Sequence, residues 1–311
     1  MHQDTLIKTE EILNAIETEL VGKRDVARLT LAAFFSGGHV LLEDIPGVGK
    51  TTLAKRFATV MGLSFGRIQF TSDMLPSDII GVNYFSQKAG DFILKKGPIF
   101  TQFLLADEIN RAMPKTQSAL LEAMEEAHVT IDGVSHPLPK PFFVIGTQNP
   151  YEDVGTFPLP HSQLDRFVCS FGIGYPDADA ERKILEGIPT TPTASTSACL
   201  TPDEIMTLMD DARTIALSEA MLDFLQAVIR FTRESGRFAY GLSTRGALAL
   251  TAMTRSWAML QGRRYAIPDD LIAVTPAVCA HRLRFVEGVT TAERITEVIF
   301  ASVQSDRPTT S

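Results

Sequence analysis

The chain has 311 residues, 29 basic and 37 acidic side chains, a net charge of −8 and 45% hydrophobic residues. At roughly 150 residues per domain this length suggests about two domains, and the composition is that of a globular chain, not a disordered or fibrous one. An acidic chain with no lysine- or arginine-rich stretch lacks the clustered cations that counterion release on nucleic acid requires, which excludes non-specific coating and leaves only a local basic groove open.

No apolar run reaches the ~20 residues of a bilayer span. Met1 to Thr5 carries no basic flank followed by an apolar block, so a cytoplasmic location is expected. Cys169, Cys199 and Cys279 are scattered and outside any C-x-x-C spacing, which fits buried bystanders in a reducing compartment. The histidines show no close pairing, so a metal held by protein side chains alone is not expected.

In chain order, Ile12, Ile16 and Leu20 recur at helical spacing, and a second apolar helix runs from about Asp25 to Phe35 before Gly37-Gly38 stops it. The period then changes. His39 to Leu42 reads as a strand, Pro46 to Gly49 as a glycine loop, and Lys50 to about Met61 as a helix. Short apolar runs at Arg67–Phe70, Phe103–Ala106, Phe142–Thr147 and Phe167–Phe171 alternate with helical patterns such as Thr116–Ala127. Buried strands alternating with helices imply an α/β fold with a parallel sheet covered on both faces. The uncharged small-residue stretch over 189–199 reads as a linker between a domain at 1–188 and a helical domain at 200–311. The latter opens with a capping box at Thr201-Pro202-Asp203-Glu204.

Three strand ends carry the chemistry. Asp44 to Thr51 matches the phosphate loop G-x-x-x-x-G-K-[ST] except at its first glycine, where Asp44 stands. The loop Pro46 to Gly49, through the backbone N–H groups of Gly47, Val48 and Gly49, the helix start at Thr51 and Thr52, and the Lys50 ammonium would cradle a triphosphate, with Thr51 on magnesium. Aspartate tolerates left-handed backbone, so the turn is expected to survive, with a charge near the phosphates. Asp107 and Glu108 end an apolar strand: one carboxylate suits magnesium and the other suits water activation, unless they are only a solvated strand end. Asn149 follows the Phe142–Thr147 strand, and in a parallel sheet it would share an edge with Glu108 and the phosphates, the alternative being ordinary turn chemistry before Pro150.

The stretches HVLLEDIPGVGKTTLAKRFA, RIQFTSDMLPSDIIG, GPIFTQFLLADEINRAMPKTQSALLEAMEE, VTIDG, GTQNPYEDVGTFPLPHSQLDRF and GLSTRGALAL together resemble the MoxR family of AAA+ ATPases from about Leu20 to Arg284. In that family an acidic residue often stands where Asp44 does. The resemblance implies a P-loop sheet domain followed by a small all-α lid, with ATP and Mg2+ as cofactors. It implies Walker A roles for Lys50 and Thr51, Walker B roles for Asp107 and Glu108, and a water-positioning sensor at Asn149. Val21-Gly22 resembles the segment lining the adenine pocket. Arg166 resembles the arginine finger inserted into a neighbouring subunit's site, the alternative being a surface arginine paired to Asp165. Arg245, in the first turn of a helix capped by Ser243, resembles a second sensor reaching the γ-phosphate from the lid. A cation there is unfavourable to the helix dipole.

Gly81–Gly97, with a turn at Gly90 and Tyr84-Phe85 as an aromatic handle, resembles the hairpin that interrupts the second core helix in one branch of these ATPases. Val129–His136 carries the Asp132-Gly133 hairpin signal. Either hairpin would line a pore or grip a client, or be an ordinary surface hairpin. The implied function is chaperone-like remodelling by a ring homo-oligomer, expected to be a hexamer, with a protein client and a von Willebrand A-domain partner. Nucleic acid is disfavoured as a partner by the charge. The alternatives are a DNA-associated motor or helicase loader, a small-molecule P-loop kinase and a nucleotide-gated scaffold.

Overall fold

The computed structural model describes residues 2–88, 90–150, 154–186 and 198–303. All but the last two residues of the expected 189–199 linker lie outside the described residues. Two helices, α1 (His2–Glu17) and α2 (Arg24–Phe35), precede β1 (Val40–Glu43) and α3 (Lys50–Val60). β2 (Phe65–Gln69) and the five-residue α4 (Pro76–Ile80) lead into a hairpin, β3 (Gly81–Ser86) and β4 (Asp91–Lys96). β5 (Phe103–Asp107), α5 (Pro114–Glu126), a second hairpin of β6 (His128–Ile131) and β7 (Val134–Pro137), and β8 (Phe143–Gln148) follow. α6 (His161–Leu164), β9 (Cys169–Phe171) and α7 (Ala178–Leu185) complete the α/β portion. The rest is helical: α8 (Pro202–Thr214), α9 (Glu219–Glu234), α10 (Thr244–Leu260), α11 (Pro268–Cys279) and α12 (Ala292–Ser302).

The five core strands pair in parallel in the order β2-β5-β8-β1-β9, so their C-terminal ends share one edge. Strand periodicity divides the core. Val40, Leu42, Phe103, Leu105, Phe143 and Ile145 face α1, α2, α3 and the C-terminal helices, whereas Leu41, Leu104, Ala106 and Val144 face α5. On the first face the rings of Phe34 and Phe143 meet edge-on at 5.3 Å, beside Phe57 and Phe103. Each such ring contributes about 1.5–3 kcal/mol by burial alone. The helical lid joins this same cluster: α10 packs on α2 and α8, and α11 on β9. No described helix is long and apolar enough to cross a membrane.

His39 locks the sheet to α5. Its Nε2 lies 3.0 Å from the Met124 carbonyl, and its Nδ1 accepts the Val144 N–H at 3.1 Å, so Nε2 carries the proton. Burial pushes this imidazole down to about 4.

Both hairpins form. Asp132 (φ 49°) and Gly133 (φ 80°) occupy successive left-handed positions, the backbone that an Asp-Gly turn supplies. Asn83 Nδ2 donates to Asp132 Oδ2 at 2.8 Å, tying the hairpins together, and Tyr84, Phe85 and Phe92 stay exposed. The first hairpin follows α4 but does not interrupt a longer helix. Residues 97–102 return to β5 through turns, and Gly97 packs its α-carbon against the Ile79 carbonyl, where any Cβ would fall 2.1 Å from that oxygen.

Candidate nucleotide site and arginine cluster

The loop between β1 and α3 is shaped by Gly47 and Gly49, which take φ of 88° and 98°. Gly49 is also the left-handed N-cap of α3. Asp44 does not share that conformation, which corrects the expectation of a left-handed turn residue: it is not among the described residues with positive φ. Its carboxylate spans the loop's own Ile45 and the chain after β9. Oδ1 accepts the Ile45 N–H at 2.9 Å, and Oδ2 accepts the N–H groups of Ile173 and Gly174, each at 2.7 Å. The departure from the glycine pattern therefore joins the loop to the chain leaving β9.

Pro46, Gly47, Gly49, Lys50, Thr51, Thr52, Arg67, Asp107, Glu108 and Asn149 line a cavity of about 370 Å³, within the range of small-ligand sites. Topology brings them together, since they lie in the loop after β1 and the first turn of α3, on β2, and at or just beyond the ends of β5 and β8 on one side of the parallel sheet. Val48 packs against the apolar core instead of lining the cavity. Lys50 Nζ donates to the Asp44 carbonyl at 2.6 Å. Desolvation lowers its pKa, opposed by the nearby charges of Asp44, Asp107 and Glu108.

Asp107 is buried and accepts from Thr147 Oγ1 at 2.6 Å and from Arg67 Nη2 at 2.7 Å. Glu108 is held in the left-handed region at φ 56°, a strained backbone for a non-glycine residue. Its N–H donates to Thr147 Oγ1 at 2.9 Å. Its Oε2 accepts from Gln69 Nε2 at 2.9 Å and pairs with Arg111 Nε at 2.7 Å. Thr51 and Asp107 face the same space with a hydroxyl and a carboxylate, an all-oxygen donor set suited to a hard divalent cation such as magnesium.

Val21 and Gly22 are not in the lining of this cavity. Arg56 on α3 fixes their segment, donating to the Ala15 carbonyl at 2.8 Å and pairing with Glu19 at 3.0 Å. Leu20 thereby touches the loop, its Cδ1 3.3 Å from where a Cβ on Gly49 would sit. Lys23 Nζ donates to the Tyr175 carbonyl at 2.5 Å, closing the other side.

Arg166 and Arg245 are elsewhere. Both reach Glu125 near the end of α5: Arg166 Nε lies 2.9 Å from Oε2, and Arg245 Nη2 pairs with Oε1. They line a second cavity, of about 270 Å³, that shares no residue with the first. Arg245 thus does not reach its own chain's phosphate loop from the lid, because α10 begins against the loop after α6, where Ser243 bonds Asp165. Nor does Arg166 pair with Asp165, whose carboxylate is taken by Arg282 and Ser243. The unfavourable cation in the first turn of α10 is offset by Glu125.

Sequence reasoning missed Arg67, Gln69, Thr147, Glu125, Asp165 and Arg282. The strand-edge rule that selected Asn149 selects Arg67, Gln69 and Thr147 equally well, once β2 and β8 are placed in the sheet. No local signal marks the other three.

Residues 39–169 match the family described as "ATPase family associated with various cellular activities (AAA)", and residues 230–298 match the AAA lid domain. The chain is 41% identical over 303 residues to the uncharacterized protein YeaC of Bacillus subtilis, covering 96% of this chain and 93% of that one. It is 41% identical over 283 residues to the chaperone MoxR1 of Mycobacterium tuberculosis, with 88% and 75% of the two chains covered. It is 32% identical to the protein MoxR of Methylorubrum extorquens, with 88% and 86% covered. A crystal structure of a Cytophaga hutchinsonii protein described as an ATPase superposes with a TM-score of 0.88 at 32% identity, over 100% of this chain and 97% of that one. With the family fold, the phosphate loop, the acidic strand end and a helical lid in one chain, the protein belongs to the MoxR family of AAA+ ATPases and is an ATP-hydrolysing enzyme.

Proposed function

We propose that the chain hydrolyses Mg2+-bound ATP at sites shared between subunits of a ring, expected to be a hexamer, and uses the motion to remodel or mature a protein complex. The observation that carries this reading is the separation of the two cavities. One holds the phosphate loop and the acids, and the other holds Arg166 and Arg245 with no phosphate loop of its own. A second copy, with its arginine face against the first copy's nucleotide, completes both, and such a head-to-tail contact closes into a ring.

In this reading the backbone from Pro46 to Gly49 cradles the phosphates and Lys50 leaves the Asp44 carbonyl for the β- and γ-oxygens. Thr51 and Asp107 would hold magnesium, which when bound would supply positive charge to offset that of the phosphates. Glu108 takes a proton from the attacking water once freed from Gln69 and Arg111, and Asn149 orients that water. Val21 and Gly22 receive the adenine. The neighbour's Arg166 contributes about 10³–10⁵ in rate through the transition-state charge, with Arg245 beside it. The joined hairpins, with Tyr84, Phe85 and Phe92 exposed, are the surface offered to a client, and a von Willebrand A-domain protein is the partner that the family resemblance suggests.

The test mixes Lys50→Ala and Arg166→Ala subunits, each inactive alone. The first lacks nucleotide and the second lacks the finger, so mixed rings should regain part of the wild-type turnover. No recovery at any ratio would overturn the shared site. Turnover stimulated by single-stranded DNA in the same assay would favour a nucleic-acid motor.

A further inference from the structure

The residue before Arg166 makes a set of contacts that neither the nucleotide cavity nor the family motifs explain. Asp165 Oδ1 accepts from Arg282 Nε at 2.6 Å, and Oδ2 accepts from the Ser243 hydroxyl at 2.6 Å. Ser243 is the N-cap of α10 and accepts the Gly246 N–H at 2.9 Å, so one hydroxyl both caps the helix carrying Arg245 and binds it to Asp165. Arg282 stands just beyond α11 with its side chain only 5% exposed. Its remaining N–H groups donate to the carbonyls of Val168 (3.0 Å), Val278 (2.7 Å), Asp165 (3.2 Å) and Phe167 (2.6 Å). All five guanidinium donors are thereby used. His281 Nε2 lies 3.2 Å from the same Phe167 carbonyl.

One carboxylate therefore joins three pieces of chain: the loop bearing Arg166, the first turn bearing Arg245 and the end of α11. Gly246 makes room for the joint, since a Cβ there would lie 3.1 Å from Arg282 Cδ. Charge-assisted bonds are roughly twice as strong as neutral ones. Separating the pieces would strand a buried guanidinium without its counter-charge. Outside the joint, Arg166 and Arg245 meet the same partner, Glu125.

We propose that Asp165 is a positioning residue that fastens the lid's first turn to the finger loop, so that Arg166 and Arg245 enter and leave the neighbouring subunit's site as one unit. The movement driven by hydrolysis then falls at the boundary between subunits, not between one subunit's finger and its own lid. This rests on the reading of both arginines as acting on a neighbour's nucleotide.

The experiment measures ATP turnover of the full chain carrying Arg166→Ala, Arg245→Ala or both, in three backgrounds: wild type, Asp165→Asn and Ser243→Gly. Residues acting as a unit are strongly non-additive, so in the wild-type background each single substitution should lower kcat nearly as far as the double. Asp165→Asn alone should lower kcat by about ten- to a hundredfold, as expected of a misplaced catalytic group. KM for ATP should stay within about twofold, because no contact of the phosphate cradle is touched. In that background the two arginine effects should multiply. Ser243→Gly keeps a serviceable cap and should show the same change to multiplicative behaviour, which decides the matter if Asp165→Asn does not fold. Effects that already multiply in the wild type, or that stay non-additive in all backgrounds, would overturn the coupling. Unchanged turnover in both single arginine variants would instead overturn the trans reading, and the coupling with it.

Discussion

The carboxylate of Asp44 satisfies three backbone N–H groups, two of them on the chain leaving β9. Restoring the glycine of the general phosphate-loop pattern should therefore harm this protein. Asp44→Gly leaves those donors unpaired and should cost about 1–3 kcal/mol of stability, read as a lower chemical-denaturation midpoint. Glu108 is a second residue whose neighbours set its behaviour. Glu108→Gln keeps the shape and removes the base, so turnover should fall by at least about 10² while nucleotide binding persists. Equal loss of binding in Glu108→Gln and Lys50→Ala would refute the assigned roles. The thiols of Cys169 and Cys279 are pushed up to about 12 by burial, so they are poor nucleophiles and suit the bystander role read from their spacing.

At the scale of elements, the parallel sheet converts scattered sequence positions into one edge. Gln69 pairs in register with Asp107, and Glu43 with Gln148, so Arg67, Asp107 and Asn149 meet at one cavity. The start of α10 is decided by packing as much as by its cap. Gly246→Val would drive a branched side chain into Arg282 and displace the first turn, and should lower the thermal midpoint by several degrees, with a drop in kcat. A variant as stable and active as the wild type would show that this close approach is dispensable.

At the scale of the molecule, the lid is continuous with the sheet's apolar core, so opening it exposes core surface. Two buried histidines add a pH dependence. His39 lies at about 4 in the fold against 6.5 in the free side chain, and His281 is also lowered, in both cases chiefly by burial. Between those values the unfolded chain binds protons that the fold does not, so stability should be flat above about pH 6.5 and fall as pH drops toward 4. For His39 alone the loss is of order 3 kcal/mol. Thermal midpoints across this range check it: His39→Gln should flatten the slope, and an unchanged slope would refute the assignment. Shared sites also predict specific activity that rises with protein concentration.

The sequence by itself determined the alternation of buried strands and helices, the hairpin at Asp132-Gly133 and the residues of the phosphate loop and acidic strand end. Each is a local pattern, fixed by period, by turn chemistry or by spacing along one strand-loop-helix unit. It also marked Arg166 and Arg245 as residues of interest. Only the tertiary structure decided that they stand together on Glu125, away from Lys50, and that Asp44 faces β9. Both outcomes depend on which surfaces the lid and the β9 exit pack against, and such long-range packing leaves no periodic trace in the chain. Asp165 and Arg282, 117 positions apart, are the plainest case: a partly buried ion pair whose partners become neighbours only when α11 docks on β9.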